Sequence, residues 1–474
     1  MKILFTASES LPFIKTGGLG DVAYALPKAL ADAGHEVKVI IPFYGRVKHG
    51  EALSRNINFV GETKTPLGWR NQYTGIFRYG SGGSNPEYWF IDNEYYFSRS
   101  DGYAIYGDYD DGEKFAFFSR AVLQALPLMG FDPDIIHTND WQSALVPVYM
   151  KLANHESEKP VQLFTIQHIA RQGKCDEDMI EDLLGIHKGQ LCILENSGKI
   201  NFMKGAIVVC DRFNTVSRNY ATELKSSAFA VGLESIISHN EGKFSGVLHG
   251  IDYEVYNPEK DKYLFYRYGA ENSGLKLKNK LAVQKELCLK VSEEIPLIVV
   301  ISKLVTNKGM DILKEAVFEI LKNEVQFVMI GEGEERYENF FSNLQKIYPT
   351  KMRCMVMHSE AGAHRLFAAG DYMVLPSQVE PCGRSQMIAL RYGASPIVRR
   401  IGGLADSVTD VSAGGNGYVF EEYSSAALLN AMQRAVKDYS DKSARAELVK
   451  KSMAADFSWE SAAEGYKKIY EEMT

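Results

Sequence analysis

Three short stretches combine cations, carboxylates and glycines at points where an apolar run gives way to a helical pattern. The first is Lys15-Thr16-Gly17-Gly18-Leu19-Gly20-Asp21-Val22. It follows the apolar run Ile3–Ala7 and precedes Val22, Leu26, Ala29, Leu30 and Ala33, which share one face of a helix. Glycines there let the backbone approach a ligand closely. The helix start offers unpaired N–H groups and positive dipole charge. With Lys15 beside them, Gly17, Gly18 and the Asp21 turn form a candidate phosphate cradle. The alternative is a tight strand–helix turn with no ligand. The second stretch, Ser302-Lys303-Leu304-Val305-Thr306-Asn307-Lys308-Gly309-Met310-Asp311, places two lysines before a helix, where they would hold a diphosphate. Read as surface lysines they would be unremarkable. The third, Pro376-Ser377-Gln378-Val379-Glu380-Pro381-Cys382-Gly383-Arg384, holds a carboxylate between prolines and a glycine. Glu380 there reads as positioned rather than solvated.

Weaker signals sit at other strand ends. His137-Thr138-Asn139-Asp140-Trp141-Gln142 offers Asp140 either to a ligand or as the N-cap of the next helix. Thr165-Ile166-Gln167-His168 offers His168 as a general base, although a lone histidine is more often structural. Gly331-Glu332-Gly333-Glu334 is a glycine turn, and Gly402-Gly403-Leu404-Ala405-Asp406 echoes the opening loop. Gly246-Val247-Leu248-His249-Gly250-Ile251-Asp252 reads as a hinge.

Elements that could position these loops alternate along the chain. Apolar runs at Ile3–Ala7, Val37–Pro42, Ile135–His137, Leu163–Ile166 and Ala206–Cys210 predict strands in the first half. Leu297–Ile301, Phe327–Ile330, Tyr372–Leu375 and Pro396–Val398 predict them in the second. Helical patterns between them imply parallel, doubly wound sheets. A charged break at about Asn257–Glu294 divides the chain into two Rossmann-like halves with a cleft expected between them. Ligands in such folds sit beyond the carboxyl ends of strands. The aromatic segment Thr63–Gly112, with Trp69, Tyr73, Tyr88, Trp89 and Tyr95, reads as hairpins packed on the sheet or as platforms for sugar rings.

Composition narrows the function. The chain has 474 residues, 45% of them apolar, and a net charge of −7 without a basic run. Nucleic-acid and membrane-surface roles therefore have little support. Six cysteines lack paired spacing, which points to a reducing compartment and against a disulfide frame or zinc site. No signal-peptide pattern opens the sequence, and no apolar run reaches the roughly 18 residues of a membrane span. A cytoplasmic location is expected.

Taken together, the motifs resemble one family. Lys15–Val22, Asn139-Asp140-Trp141, Gly250-Ile251-Asp252, Lys308-Gly309-Met310-Asp311, Glu380-Pro381-Cys382-Gly383 and Arg399-Arg400-Ile401-Gly402-Gly403-Leu404-Ala405-Asp406 are similar, in order, to bacterial glycogen synthase. That is a retaining glycosyltransferase of family five, related to plant starch synthases. The resemblance implies a GT-B fold of α/β class. Domain 1–250 would be the acceptor side, completed by a terminal helix at 457–474, and 251–456 would be the nucleotide-sugar side. It implies glucose transfer from ADP-glucose to the nonreducing end of an α-1,4-glucan, with no metal and no further cofactor. Carried over by motif position, Lys308 and Lys303 would hold the diphosphate and Glu380 the glucose hydroxyls, helped by Cys382 and Gly383. Lys15, Gly17, Gly18 and Asp21 would lie near phosphate and acceptor, and Asp140 on the acceptor side. Gln167 would stand beside the donor sugar, His249 in the substrate site and His358 at the adenine.

Several of these positions depart from the family pattern. Gln167 replaces the usual histidine of Thr-Ile-His-Asn, and Lys303 replaces arginine, which loses the two-pronged guanidinium. His249 replaces asparagine before Gly-Ile-Asp, Gln142 replaces histidine, and Arg384-Ser385 follows Glu-Pro-Cys-Gly. Two readings follow: a working synthase, or a paralogue that binds nucleotide sugar or glucan with impaired turnover.

Overall fold

The computed structural model describes residues 1–99, 105–153 and 160–474. It divides into two compact units, Met1–His249 with Trp459–Thr474, and Gly250–Ser458.

The first unit is built on a nine-stranded sheet. Its strands are β1 (Lys2–Thr6), β2 (Glu36–Pro42), β3 (Ile57–Leu67), β4 (Arg70–Tyr79), β5 (Glu87–Asp92), β6 (Ile135–Asn139) and β7 (Val161–Ile166). A separate two-stranded ribbon, β8 (Lys174–Cys175) and β9 (Ile200–Asn201), precedes the sheet's last strands, β10 (Arg212–Thr215) and β11 (Phe244–Gly246). The sheet order is β11-β10-β7-β6-β1-β2-β5-β4-β3. Pairing is parallel from β11 to β5, and β4 and β3 continue it antiparallel. Strand β1 lies between β2 and β6, so the chain reverses its direction of winding there. The loops after β1 and β6 are consequently neighbours at the carboxyl edge. The aromatic segment supplies the β3–β4 hairpin and β5, the hairpin reading of that stretch; its residues 100–104 lie outside the described ones. Tyr88, Trp89 and Phe90 are buried, whereas Trp69 is exposed.

One expected strand is corrected. Ala206–Cys210 belongs to the helix Phe202–Val209, and the strand is the polar-looking Arg212–Thr215 that follows. A short apolar run cannot separate a buried helix from a buried strand. Here the Asn201 side chain caps the helix by accepting from the Lys204 amide at 3.0 Å.

The second unit carries a six-stranded, wholly parallel sheet in the order β14-β13-β12-β15-β16-β17. The strands are β12 (Leu297–Ile301), β13 (Gln326–Ile330), β14 (Met352–Met355), β15 (Tyr372–Leu375), β16 (Ser395–Arg399) and β17 (Tyr418–Phe420). Ile298, Val299 and Val300 of β12 are fully buried, as a strand covered on both faces requires. The winding reverses between β12 and β15. The charged break contains the helix Leu275–Glu286. Among the described residues no helix is long and apolar enough to cross a membrane.

The terminal helix Trp459–Met473 completes the first unit and packs on the helix Gly18–Asp32. Two of its tyrosines reach buried histidines. Tyr470 Oη lies 2.8 Å from His137 Nδ1, and Tyr466 Oη lies 2.7 Å from His249 Nε2. Thr165 Oγ1 donates to Asn214 Oδ1, so it accepts from His137 Nε2–H and leaves Nδ1 to accept from Tyr470. Burial holds His137 neutral, its pKa pushed down to about 3. Tyr470→Phe would strand a buried acceptor and is expected to cost the first unit about 1–3 kcal/mol. Urea unfolding followed by circular dichroism measures this; an unchanged midpoint would show that the helix docks by apolar packing alone.

Candidate active site

The loops after β12 and β15 meet at the switch point of the second sheet. Lys308 Nζ donates to Glu380 Oε2 at 2.5 Å, and Ser377 Oγ donates to the same oxygen at 2.8 Å. No hydrogen bond to Glu380 Oε1 is formed among the described residues, so that oxygen can accept from a ligand. The carboxylate side chain is 10% exposed and the lysine 29%, so the pair is half-sheltered from solvent screening. Backbone geometry enforces the meeting. Gly309 has φ 78°, and a Cβ there would run into the carbonyl oxygen of Pro376. Gly402, at φ 44°, lies as close to the carbonyl oxygen of Glu380. The Gly403 amide donates to that carbonyl at 3.1 Å. Three loops are thereby bound together at one edge.

The other residues expected on the donor side belong to the same unit. Lys303 is exposed, and its ammonium has no partner among the described residues. The carbonyls of Cys382 and Gly383 accept from Gln386 Nε2 at 3.2 and 2.9 Å, which fixes the turn into the helix Ser385–Arg391. The His358 side chain is exposed after β14, and its amide donates to Glu332 Oε1 at 3.0 Å. Among the described residues no group of three or more His, Cys, Asp or Glu is arranged to hold a metal ion.

In the first unit the glycine loop differs from its expected form. Its amides are already occupied by Glu9, a carboxylate 1% exposed just after β1. Glu9 accepts from the Thr16 amide at 2.7 Å, Thr16 Oγ1 at 2.6 Å, the Gly17 amide at 3.1 Å and the Gly20 amide at 3.0 Å. The anion at this helix start is therefore the protein's own, and Gly17 is corrected from a phosphate ligand to a ligand of Glu9. Gly18 is the first residue of the helix. Lys15 Nζ donates to Asp21 Oδ1 at 2.7 Å, so the two residues form one partly exposed pair. Glu9 escaped the sequence reading, although a carboxylate directly after a buried strand was the available signal.

Beside it, Asp140 has φ 55° with ψ 178°, a conformation that costs a non-glycine residue about 1–3 kcal/mol. Its side chain does not cap the following turn. Instead Oδ1 accepts from the amides of Gln167 at 2.8 Å and His168 at 3.1 Å, tying the loop after β6 to the loop after β7. Gln167 Nε2 donates to Asn139 Oδ1 at 3.0 Å. His168 Nδ1 accepts from the Ala170 amide at 3.3 Å, a structural use of the ring. His249 is also corrected. It is 3% exposed, bonded to Tyr466 and set against the Trp459 ring, so its imidazole serves the packing of the terminal helix.

Burial pushes the Asp140 carboxyl up to about 7, against the pull of the two amides. A carboxyl raised in the folded state binds more protons there than in the unfolded chain between pH about 4 and 7, so its contribution to stability declines as pH rises through that window. Asp140→Asn keeps an acceptor for both amides and removes the ionisation. The variant is expected to lose this part of the pH dependence, measured as the difference from the parent in melting temperature across pH 4–8 (roughly the span of both values). A difference that does not change with pH would contradict it.

Comparison with known proteins places this geometry. Residues 2–239 match the family described as starch synthase catalytic domain, and residues 289–452 match glycosyl transferases group 1. The chain is 41% identical to the glycogen synthase of Clostridium acetobutylicum, with 99% of each chain covered. It is 40% identical to that of Clostridium perfringens, covering 100% of this chain and 98% of the relative. The catalytic domain of starch synthase IV from Arabidopsis thaliana, bound to ADP and acarbose, superposes with a TM-score of 0.87 at 31% identity, covering 99% of each chain. Sucrose-phosphate synthase from Thermosynechococcus elongatus shares the fold alone, with a TM-score of 0.60 at 15% identity and coverage of 100% of this chain and 98% of that one. Two parallel-sheet α/β units of this kind constitute the GT-B fold, and the chain belongs to the glycogen and starch synthase family of glycosyltransferases.

Proposed function

We propose that this chain is a cytoplasmic enzyme that transfers glucose from ADP-glucose to the nonreducing end of an α-1,4-glucan with retained configuration. The observation that carries the reading is the Lys308–Glu380 pair, joined across the switch point of a parallel sheet. The presence of ADP in the starch synthase IV structure supports an adenosine diphosphate leaving group.

The chemistry breaks the bond between glucose C1 and the diphosphate and forms one from C1 to an acceptor hydroxyl. Negative charge grows on the departing ADP, and the hydroxyl's proton passes to a phosphate oxygen of that leaving group. Lys308 and Lys303 hold the diphosphate and stabilise that charge, a preorganised electrostatic role. The donor's arrival draws Lys308 from Glu380 to the phosphate oxygens. Glu380 Oε1 accepts from glucose hydroxyls, with the Cys382–Gly383 turn beside it, and His358 stacks at the adenine. Asp140 serves the acceptor side, Gln167 stands beside the donor sugar, and the Lys15–Asp21 pair lies near phosphate and acceptor. Fixed cations supply the charge that the leaving group needs, so we propose no metal requirement.

A second reading, impaired turnover, draws on one specific contact. Gln167 is committed to Asn139 and lacks the imidazole that the family usually presents. Loss of one fixed donor typically lowers kcat about 10²–10³-fold.

Lys308→Ala is expected to weaken ADP binding about tenfold or more by calorimetry, the loss of one charge-assisted contact. Undiminished affinity would remove Lys308 from the diphosphate site. Labelled ADP-glucose and glycogen distinguish the two readings. Incorporation by the parent chain at a synthase-like rate supports the first. A silent parent whose activity appears with Gln167→His and Lys303→Arg together supports the second.

A further inference from the structure

A cavity of about 530 Å³ opens at the edge of the second sheet opposite the donor loops. Its wall includes Tyr372, Ser395 and Tyr418, the first residues of β15, β16 and β17. The donor loops follow the other ends of β15 and β16. A four-residue strand spans about 13 Å, so the two places can be filled together. The volume suits a small organic molecule.

Charges inside the cavity are unevenly matched. Lys280 is paired, its Nζ 2.7 Å from Asp371. Asp441 is spent on capping the helix Lys442–Ala454, accepting from the amides of Ser443 and Ala444. Lys442 pairs outward with Glu294 at 2.5 Å. Lys276 differs. It is 6% exposed, and its ammonium donates only to the carbonyls of Ala368 at 2.9 Å and Phe367 at 3.4 Å. Arg445 stacks on the Tyr439 ring at 4.2 Å and donates to the Tyr439 carbonyl at 3.4 Å. Neither cation has a carboxylate within ion-pair distance among the described residues. A buried ammonium without a counterion is costly unless something supplies the missing charge. Leu277, Leu448 and Val449 add apolar wall beside the tyrosines.

We propose that this cavity is a second ligand site, one that takes a small organic anion with a single carboxylate or phosphate head on an apolar, ring-bearing body. The head meets Lys276 and Arg445, and the ring lies among Tyr372, Tyr418 and Tyr439. Nothing in the glucosyl-transfer reading uses these residues, so the two stand or fall separately.

Burial lowers the Lys276 pKa to about 7, with Asp371 raising it and Lys280 lowering it. Besides the groups already named, Asp438, Glu447 and Lys451 line the cavity from the helices Ser425–Asp438 and Lys442–Ala454, and Lys451 donates to the Gly414 carbonyl. An anion binds the protonated form, so affinity for a carboxylate falls as pH rises through about 7.

Phenylacetate and phenyl phosphate, titrated calorimetrically into the intact chain, test the proposal, with inorganic phosphate as the headgroup alone. Saturable binding of one aromatic anion up to millimolar concentration is expected, tighter than inorganic phosphate and unaffected by saturating ADP. Which of the two binds better identifies the head. Lys276→Met is expected to weaken binding about tenfold or more. Ala446→Trp, an exposed position on the rim, is expected to abolish it without touching the core. The absence of saturable binding, displacement by ADP, or full affinity in Ala446→Trp would each overturn it.

Discussion

A carboxylate that is nine-tenths buried at the edge of a sheet must be neutralised, and in this protein the neutralising group is Lys308. That requirement draws the loops after β12 and β15 together, and the glycines at 309 and 402 allow their backbones to close the distance. Ser377 shares the same oxygen, so the arrangement holds one side of the carboxylate and leaves the other for a ligand. A cation parked on a carboxylate is also a cation available to a diphosphate, because the exchange replaces one anion by another. The resting contact and the proposed working one thus draw on the same charge.

The first unit meets a similar demand differently. Its glycine loop surrounds Glu9 instead of waiting for an external anion. Four donors converge on one buried carboxylate, and the loop becomes a rigid platform that presents Lys15 and Asp21 at its rim. Asp140 plays the corresponding part next to it, spending an unfavourable backbone conformation to join two strand-end loops.

Much of this architecture was legible in the residues. β12 and β15 were read with the bounds they have, because fully buried parallel strands are continuous apolar runs bracketed by loop chemistry. That Lys308 and Glu380 stand in strand-end loops was legible, but their pairing across two loops 72 residues apart was not. Other features depended on information that a sequence does not hold. Ala206–Cys210 is a five-residue apolar run with Val208 exposed, too short for its periodicity to separate helix from strand. Glu9 and Ser377 act through partners seven to eleven and three residues away along folded loops, and no periodicity marks them. His249 was read by its motif neighbours, yet its partner, Tyr466, is 217 residues distant. The departures from the family pattern are similarly uneven. Gln167 and His249 found new internal partners, whereas Lys303 remains solvent-facing.

The placement of the helix Trp459–Met473 has a bearing on synthesis. Domains emerging from the ribosome generally mature from the N-terminal side first. Here the leading unit cannot seal His137 and His249 until the trailing helix has been made. The middle of the polypeptide, Gly250–Ser458, has all of its strands before then. The interior unit can therefore finish before the one that precedes it, which stays incomplete until the helix Trp459–Met473 has been made.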